Sequence, residues 1–286
     1  MNTLVRQGLW KADEVRSQLG VDMFQPMNVF DACITLGLTV RFVDINMEGM
    51  YIKQESGKFP TILLSNQRPL PRRCFTCAHE LGHHVFDHGS RIDPLFDQAL
   101  KQANRNSEEV LVDVFAGALL MPVAGVQAEL ANRNWISQKC SPVQFYILSS
   151  IFGTGYQTLI VHCKVNGIIS ETKAESLLKY TPAKILKDIF KSGNNKSHFK
   201  IIDGQSSLST IDLEVSNYII LPPNLNIEGN HLEKYQKTAL GSGYVAVKPG
   251  IVRASASDNS INYFIRIQNS NYIGLVENRH LETETN

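Results

Sequence analysis

Two histidines set four residues apart, His79 and His83, with an acidic residue beside the first, constrain this chain more than any other feature. Residues four apart lie one turn above each other on the same helical face, so the two imidazoles can grip one ion if residues 79–83 are helical. Glu80 is rotated by about 100° from His79 onto the neighbouring strip, where its carboxylate can reach a water on that ion without binding the ion itself. That is the general-base position of an HExxH arrangement, and the expected ion is zinc. The competing reading is a pair of core or surface histidines on an amphipathic helix. A strand expected before the motif and an acidic-headed helix expected after it favour the metal. Residues 74–88 contain no helix breaker except Gly82, and Gly89 is a natural stop, so the expected helix covers that run.

Catalytic zinc takes three protein ligands and leaves one position for water, so a third ligand has to come from elsewhere. Residues 108–121 are strongly apolar and end at Pro122, as a buried helix would, and Glu108 and Glu109 open them. Carboxylates there are also favoured by the positive end of the helix dipole, which accounts for both without any metal. Asp113 lies one turn beyond Glu109 on the same face and is a further candidate, as a ligand or as the partner of a zinc histidine. Cys74 and Cys77 form a CxxC beside two histidines, which invites a closed zinc site, with His84 and His88 on another face as a further possible pair. At about 100° per residue the cysteines fall about 120° or more from the His79/His83 face, and small buried thiols are the expected outcome.

Around this centre, residues 9–19 and 29–36 carry helical spacing, while LTVRFVDI, MYIKQ and TILLS read as strands of one small sheet, the last two as a hairpin. TILLS immediately precedes the zinc helix, so an extended peptide pairing with it would lie across the metal. Residues 91–107 are polar and weakly patterned. Residues 142–169 place helices on either side of Gly153-Thr154-Gly155, in the manner of a helix-turn-helix. The second of these, YQTLIVHCKV, offers few basic residues for phosphates, which favours packing against the core around the metal helices over groove reading. From residue 201 the text turns β-rich through STIDLEV, YIILPP, GYVAVK, IVRAS, INYFIRI and NYIGLV, with KSGNNKSH as the expected linker and LETETN as a frayed tail.

At 286 residues, 43% apolar and 19% charged, the chain can bury real cores and is far from a disordered polymer. A net charge of +1 argues against a bulk electrostatic grip on nucleic acid, so direct nucleic-acid binding has no support from charge. The N-terminus lacks the apolar core of a secretory signal, and no later stretch is expected to have the length to span a bilayer. Five scattered cysteines are not a disulfide scaffold. A cytoplasmic protein with reduced thiols and no membrane partner is expected.

The run Arg73-Cys74-Phe75-Thr76-Cys77-Ala78-His79-Glu80-Leu81-Gly82-His83 resembles the RFTxAHExGH signature of the ImmA/IrrE metallopeptidases. Glu109-Val110-Leu111-Val112-Asp113-Val114-Phe115-Ala116, continuing to Leu119-Leu120-Met121-Pro122, resembles their ExxA(N/D)xFAxxLLMP block. The chain departs at Val112, where the family usually has alanine, and at Cys77, usually aliphatic; neither is a ligand. The resemblance implies Glu109 as the third ligand beside His79 and His83, a Zn2+ cofactor, and Glu80 as the catalytic acid/base. It implies an α+β fold: a zincin-like peptidase domain with an HExxH helix (1–140), a helix-turn-helix-like helical segment (141–185) and a β-rich sensor or regulatory domain (186–286). The implied substrate is a helix-turn-helix repressor, cleaved to relieve repression in stress, phage or mobile-element regulation. The alternative is a non-enzymatic regulator that binds DNA or a repressor and keeps zinc for structure. No oxyanion donor is identified; Tyr51, His84 and His88 are candidates whose simpler reading is packing or solvation.

Overall fold

The computed structural model describes residues 3–53, 59–93, 107–191, 198–205 and 208–281. By its internal contacts the chain forms two units, Met1–Pro122 with Asn271–Asn278, and Val123–Ser270 with Arg279–Asn286. Most of the QESGKFP turn, most of the polar run after residue 91, most of the KSGNNKSH linker and the tail from residue 282 lie outside the described residues.

In chain order the elements are α1 (Thr3–Gln18), α2 (Val29–Thr35), β1 (Thr39–Val43), β2 (Gly49–Ile52), β3 (Thr61–Ser65), α3 (Leu70–Val85), β4 (Arg91–Asp93) and α4 (Ser107–Leu120). They continue with α5 (Val123–Asn132), α6 (Pro142–Ile151), α7 (Tyr156–Val165), α8 (Glu171–Leu178) and α9 (Pro182–Phe190). The strands β5 (Phe199–Ile201), β6 (Thr210–Glu214), β7 (Tyr218–Leu221), β8 (Asn226–Ile227), β9 (Leu232–Thr238), β10 (Gly241–Ala246), β11 (Gly250–Ser255), β12 (Asn262–Gln268) and β13 (Gly274–Leu275) complete the order. The chain is a mixture of helices and sheets, an α+β protein.

The first unit is built on a sheet of order β13-β1-β3-β2-β4. Its strands alternate: Val40 and Phe42, Tyr51, and Ile62 and Leu64 are all buried, and the register sets Val40 and Tyr51 on either side of Ile62. One face is therefore apolar and takes the helices, with α3 resting on β2 and β3, α4 on α3, and α1 along α4. The expected hairpin of MYIKQ and TILLS is present as antiparallel β2 and β3. β3, however, also pairs in parallel with β1, so both of its edges are taken and the expected docking of a peptide on TILLS is corrected. NYIGLV is corrected too, because β13 leaves the other β segments and pairs antiparallel with β1 in the first sheet. Periodicity specifies a strand but not the sheet that receives it.

Helix α3 begins four residues before the expected start and ends before His88. Pro71 sits in its first turn, where a missing N–H costs nothing because the first helical N–H groups have no partner within the helix. At the other end Asp87 adopts a left-handed φ of 57°, which turns the chain away two residues before Gly89. Ser107–Asn132 also departs from expectation, being long and apolar enough by length and composition to cross a membrane. Within that run, 67% of the apolar window is buried in the fold, the pattern of a core helix.

In the second unit two sheets, β5-β7-β10-β9 and β6-β12-β11-β8, share a core that includes Ile211, Leu213, Ile219, Leu221, Ile265 and Ile267. The helical segment packs onto β5: Tyr146 stacks on Phe199 at 4.0 Å and its hydroxyl donates to the Phe199 carbonyl. Asp212, buried on β6 beside β12, meets Arg266 at 2.7 Å and Arg279 at 3.0 Å. Burial opposes its charge, yet the two guanidinium groups hold the carboxyl far below the usual carboxylate range.

Arg16 fixes α4 in the first unit. Its guanidinium is buried and donates to the carbonyl of Leu119 at the end of α4 at 2.7 Å, and to the carbonyls of Asp22 and Gln25. A cation there answers carbonyls left over by the helix and the negative end of its dipole. Burial brings the Arg16 pKa down to about 10, which keeps the group charged at neutral pH. Arg16→Met keeps the aliphatic stem but orphans buried carbonyls, so unfolding of the chain should be easier by about 2–4 kcal/mol, read as a lower urea midpoint.

Candidate metal centre

The site is assembled by a close approach of α3 and α4. At Gly82 a Cβ would stand 2.9 Å from Cβ of Val112 and 3.1 Å from the ring of Phe115, so a residue with no side chain lets the two helices meet there. One turn along, the side chains of His79 and His83 converge on Glu109 from the first turn of α4. His79 Nε2 lies 3.3 Å from His83 Nε2 and 3.3 Å from Oε2 of Glu109. His83 Nε2 lies 3.6 Å from Oε1 of the same carboxylate. The bonds of about 2.0–2.2 Å of a tetrahedral ion set its donors about 3.3–3.6 Å apart, so the three residues fit a small divalent cation. Both histidines are buried and Glu109 is half-buried, which leaves one side of the cluster approachable.

The remaining nitrogen of His79 is also engaged. Its Nδ1 donates to Asp113 Oδ1 at 3.0 Å, one turn along α4 from Glu109. Of the two roles open to Asp113 from the sequence, the structure places it as the partner of a histidine, fixing the ring and leaving the Nε2 lone pair for an ion. Burial opposes a charge on His79, yet its hydrogen bonds to Asp113 and Glu109 raise its pKa to about 10.

Glu80 is fully buried on the neighbouring strip of α3, against β2. Gly49 makes room for it: a Cβ at that position would stand 3.2 Å from Oε1 of Glu80 and 2.6 Å from Thr76. The preceding residue, Glu48, is clamped to the start of α3 by two 2.7 Å bonds from Arg72. Arg73 adds a second anchor, donating to the Arg68 carbonyl and lying 4.8 Å over the Phe42 ring. Gly49, Glu48 and Arg72 escaped sequence reasoning because a glycine in a strand and charged residues at a helix start have many ordinary explanations, while Arg73 stood there only as the first residue of the family signature.

Residues 33–162 match the model of the IrrE N-terminal-like domain, Peptidase_M78. That stretch is similar to the peptidase domain of the ImmA/IrrE family. This peptidase domain holds α3 and α4 with every candidate ligand, while α1 and β13, which complete its sheet and helical layer, lie outside the matched stretch. No curated protein matches the chain.

The other candidates separate within the peptidase domain. Tyr51 and His84 find each other, with 2.8 Å between the hydroxyl and Nδ1. His88 pairs with His83, so neither histidine joins the CxxC. Cys77 is buried with its thiol 3.7 Å from that of Cys33, and burial followed by this contact pushes it well above the ordinary thiol range. Cys74 is half-buried and, like Cys77, is outside the His79/His83/Glu109 cluster. Glu108, the neighbour of Glu109, is also outside it.

The interhelical contact is open to test. Gly82→Ala should destabilise the chain by about 1–2 kcal/mol despite better helix propensity, and weaken metal uptake as α4 is pushed away. Val112→Ala in the same chain should recover part of the loss, giving a coupling of about 1–2 kcal/mol in a double-mutant cycle of urea midpoints. Additive effects would show that other contacts set the spacing.

Proposed function

We propose that this chain is a zinc-dependent endopeptidase with a zincin-like centre, acting in the cytoplasm on a helix-turn-helix repressor to relieve repression. Its carrying observation is the convergence of His79, His83 and Glu109 at tetrahedral donor spacing, with Glu80 buried on the adjacent strip. His79, His83 and Glu109 would hold the ion, which when bound supplies Lewis acidity. Glu80 accepts the proton of the attacking water and delivers it to the leaving amine nitrogen. Its carboxylate is buried beside Gly49. Asp113 holds the His79 proton on Nδ1 throughout. An extended substrate strand would have to add at an outer strand of the sheet, and β4 is the outer strand beside β2, which carries Gly49 over Glu80. The repressor substrate and its setting in stress, phage or mobile-element control rest on the family resemblance. Five cysteines scattered through a long chain are not the pattern of a secreted disulfide scaffold, which accords with a reducing compartment.

Zinc content and cleavage test the proposal together. His79→Ala, His83→Ala and Glu109→Ala should each lose stoichiometric zinc by elemental analysis. Glu80→Gln should keep zinc while repressor cleavage falls by about 100-fold or more, and derepression in cells should fail with it. Full derepression by Glu80→Gln would favour the non-enzymatic regulator with structural zinc, and full zinc occupancy in Glu109→Ala would remove Glu109 from the ligand set.

A further inference from the structure

His83 makes a hydrogen bond on the side of its ring remote from Glu109, where its Nδ1 lies 3.1 Å from Nδ1 of His88. We infer that His88 is a positioning residue of the metal centre, holding the His83 proton on Nδ1 so that Nε2 presents a lone pair between His79 and Glu109. The inference rests on reading His79, His83 and Glu109 as metal ligands.

A neutral imidazole carries one proton. If Nε2 of His83 is to face an ion, the proton must sit on Nδ1, and Nδ1 then donates to His88, whose own proton is left on Nε2. His88 stands to His83 as Asp113 stands to His79 at 3.0 Å. The two ligand histidines are thereby oriented from different directions, one from α4 and one from the turn that leaves α3.

That turn is shaped for the purpose. After α3 ends at Val85, Asp87 and Gly89 take left-handed φ values of 57° and 76°, and the His88 amide donates back to the His83 carbonyl at 3.0 Å. A left-handed aspartate is mildly strained, and its carboxylate is tied to Lys53 of the sheet side at 2.6 Å. The His88 ring stacks on Phe86 at 5.7 Å and 18°, and Phe86 meets Phe115 of α4 edge-on at 5.9 Å. The imidazole is thus held in place by packing as well as by its bond to His83.

The test compares H88L, which keeps bulk without an acceptor, with H88N, which keeps an acceptor close to where Nδ1 lies, in the full chain. Zn2+ affinity would be measured by competition with a chromophoric chelator, coordination by the absorption of the Co2+ form, and folding by melting the metal-free protein. H88L should bind Zn2+ about 10–100-fold more weakly with an unchanged Co2+ ligand set, and H88N should stay within about threefold of the native chain. Native affinity in H88L would overturn the inference. So would equal losses in both variants, which would make packing the cause, or a Co2+ spectrum in H88L that has lost a nitrogen ligand, which would make His88 a ligand. Failure of the underlying reading looks different, because the native chain and His79→Ala would then be equally indifferent to Zn2+.

Discussion

The spacing between α3 and α4 governs everything the peptidase domain can do. Three donors must come within about 3.3–3.6 Å of one another to share a small ion, and one of them belongs to a different helix from the other two. Gly82 permits that approach by presenting backbone to Val112 and Phe115, and Gly8 permits a similar approach of α1 to α4, where a Cβ would stand 2.8 Å from Val114. With Arg16 answering the carbonyl of Leu119 at its far end, α4 is fixed along its length. A carboxylate in its first turn, free to swing on a looser helix, is instead held against two buried imidazoles.

The sheet does the same for the other half of the site. Glu48 and Arg72 draw the start of β2 onto α3, and Gly49 then leaves room for the Glu80 carboxylate, so the sheet seats Glu80 while α4 completes the donor cluster. Each histidine of the cluster has its second nitrogen occupied, His79 by Asp113 and His83 by His88. Such contacts make the rings rigid before any ion arrives, which lowers the entropic cost of binding one.

Much of this centre was legible in the chain. The four-residue spacing of His79 and His83 forces a shared helical face, and the apolar run ending at Pro122 supplies a buried helix with carboxylates at its head. Local elements were legible for the same reason: a period of two or of 3.6 residues is written in neighbouring side chains, and α7, β1 and β3 fall where that period places them. Helical geometry left the choice among Glu108, Glu109 and Asp113 open, and only the family resemblance singled out Glu109, because all three are acidic residues near one helix start whose roles differ by which way α4 is turned against α3. The parallel pairing of β1 with β3, which closes the TILLS edge to a peptide, was likewise hidden.

Sequence alone therefore determined which residues could bind an ion, since helical geometry acts between residues four apart and needs no partner element. Tertiary structure decided which of them do converge, which strand β13 joins, and that His88 folds back beneath His83. Those outcomes depend on contacts between residues distant in the chain, or on a turn through left-handed Asp87 and Gly89, whose direction is set by packing against Phe115 and Lys53 rather than by the residues that make the turn.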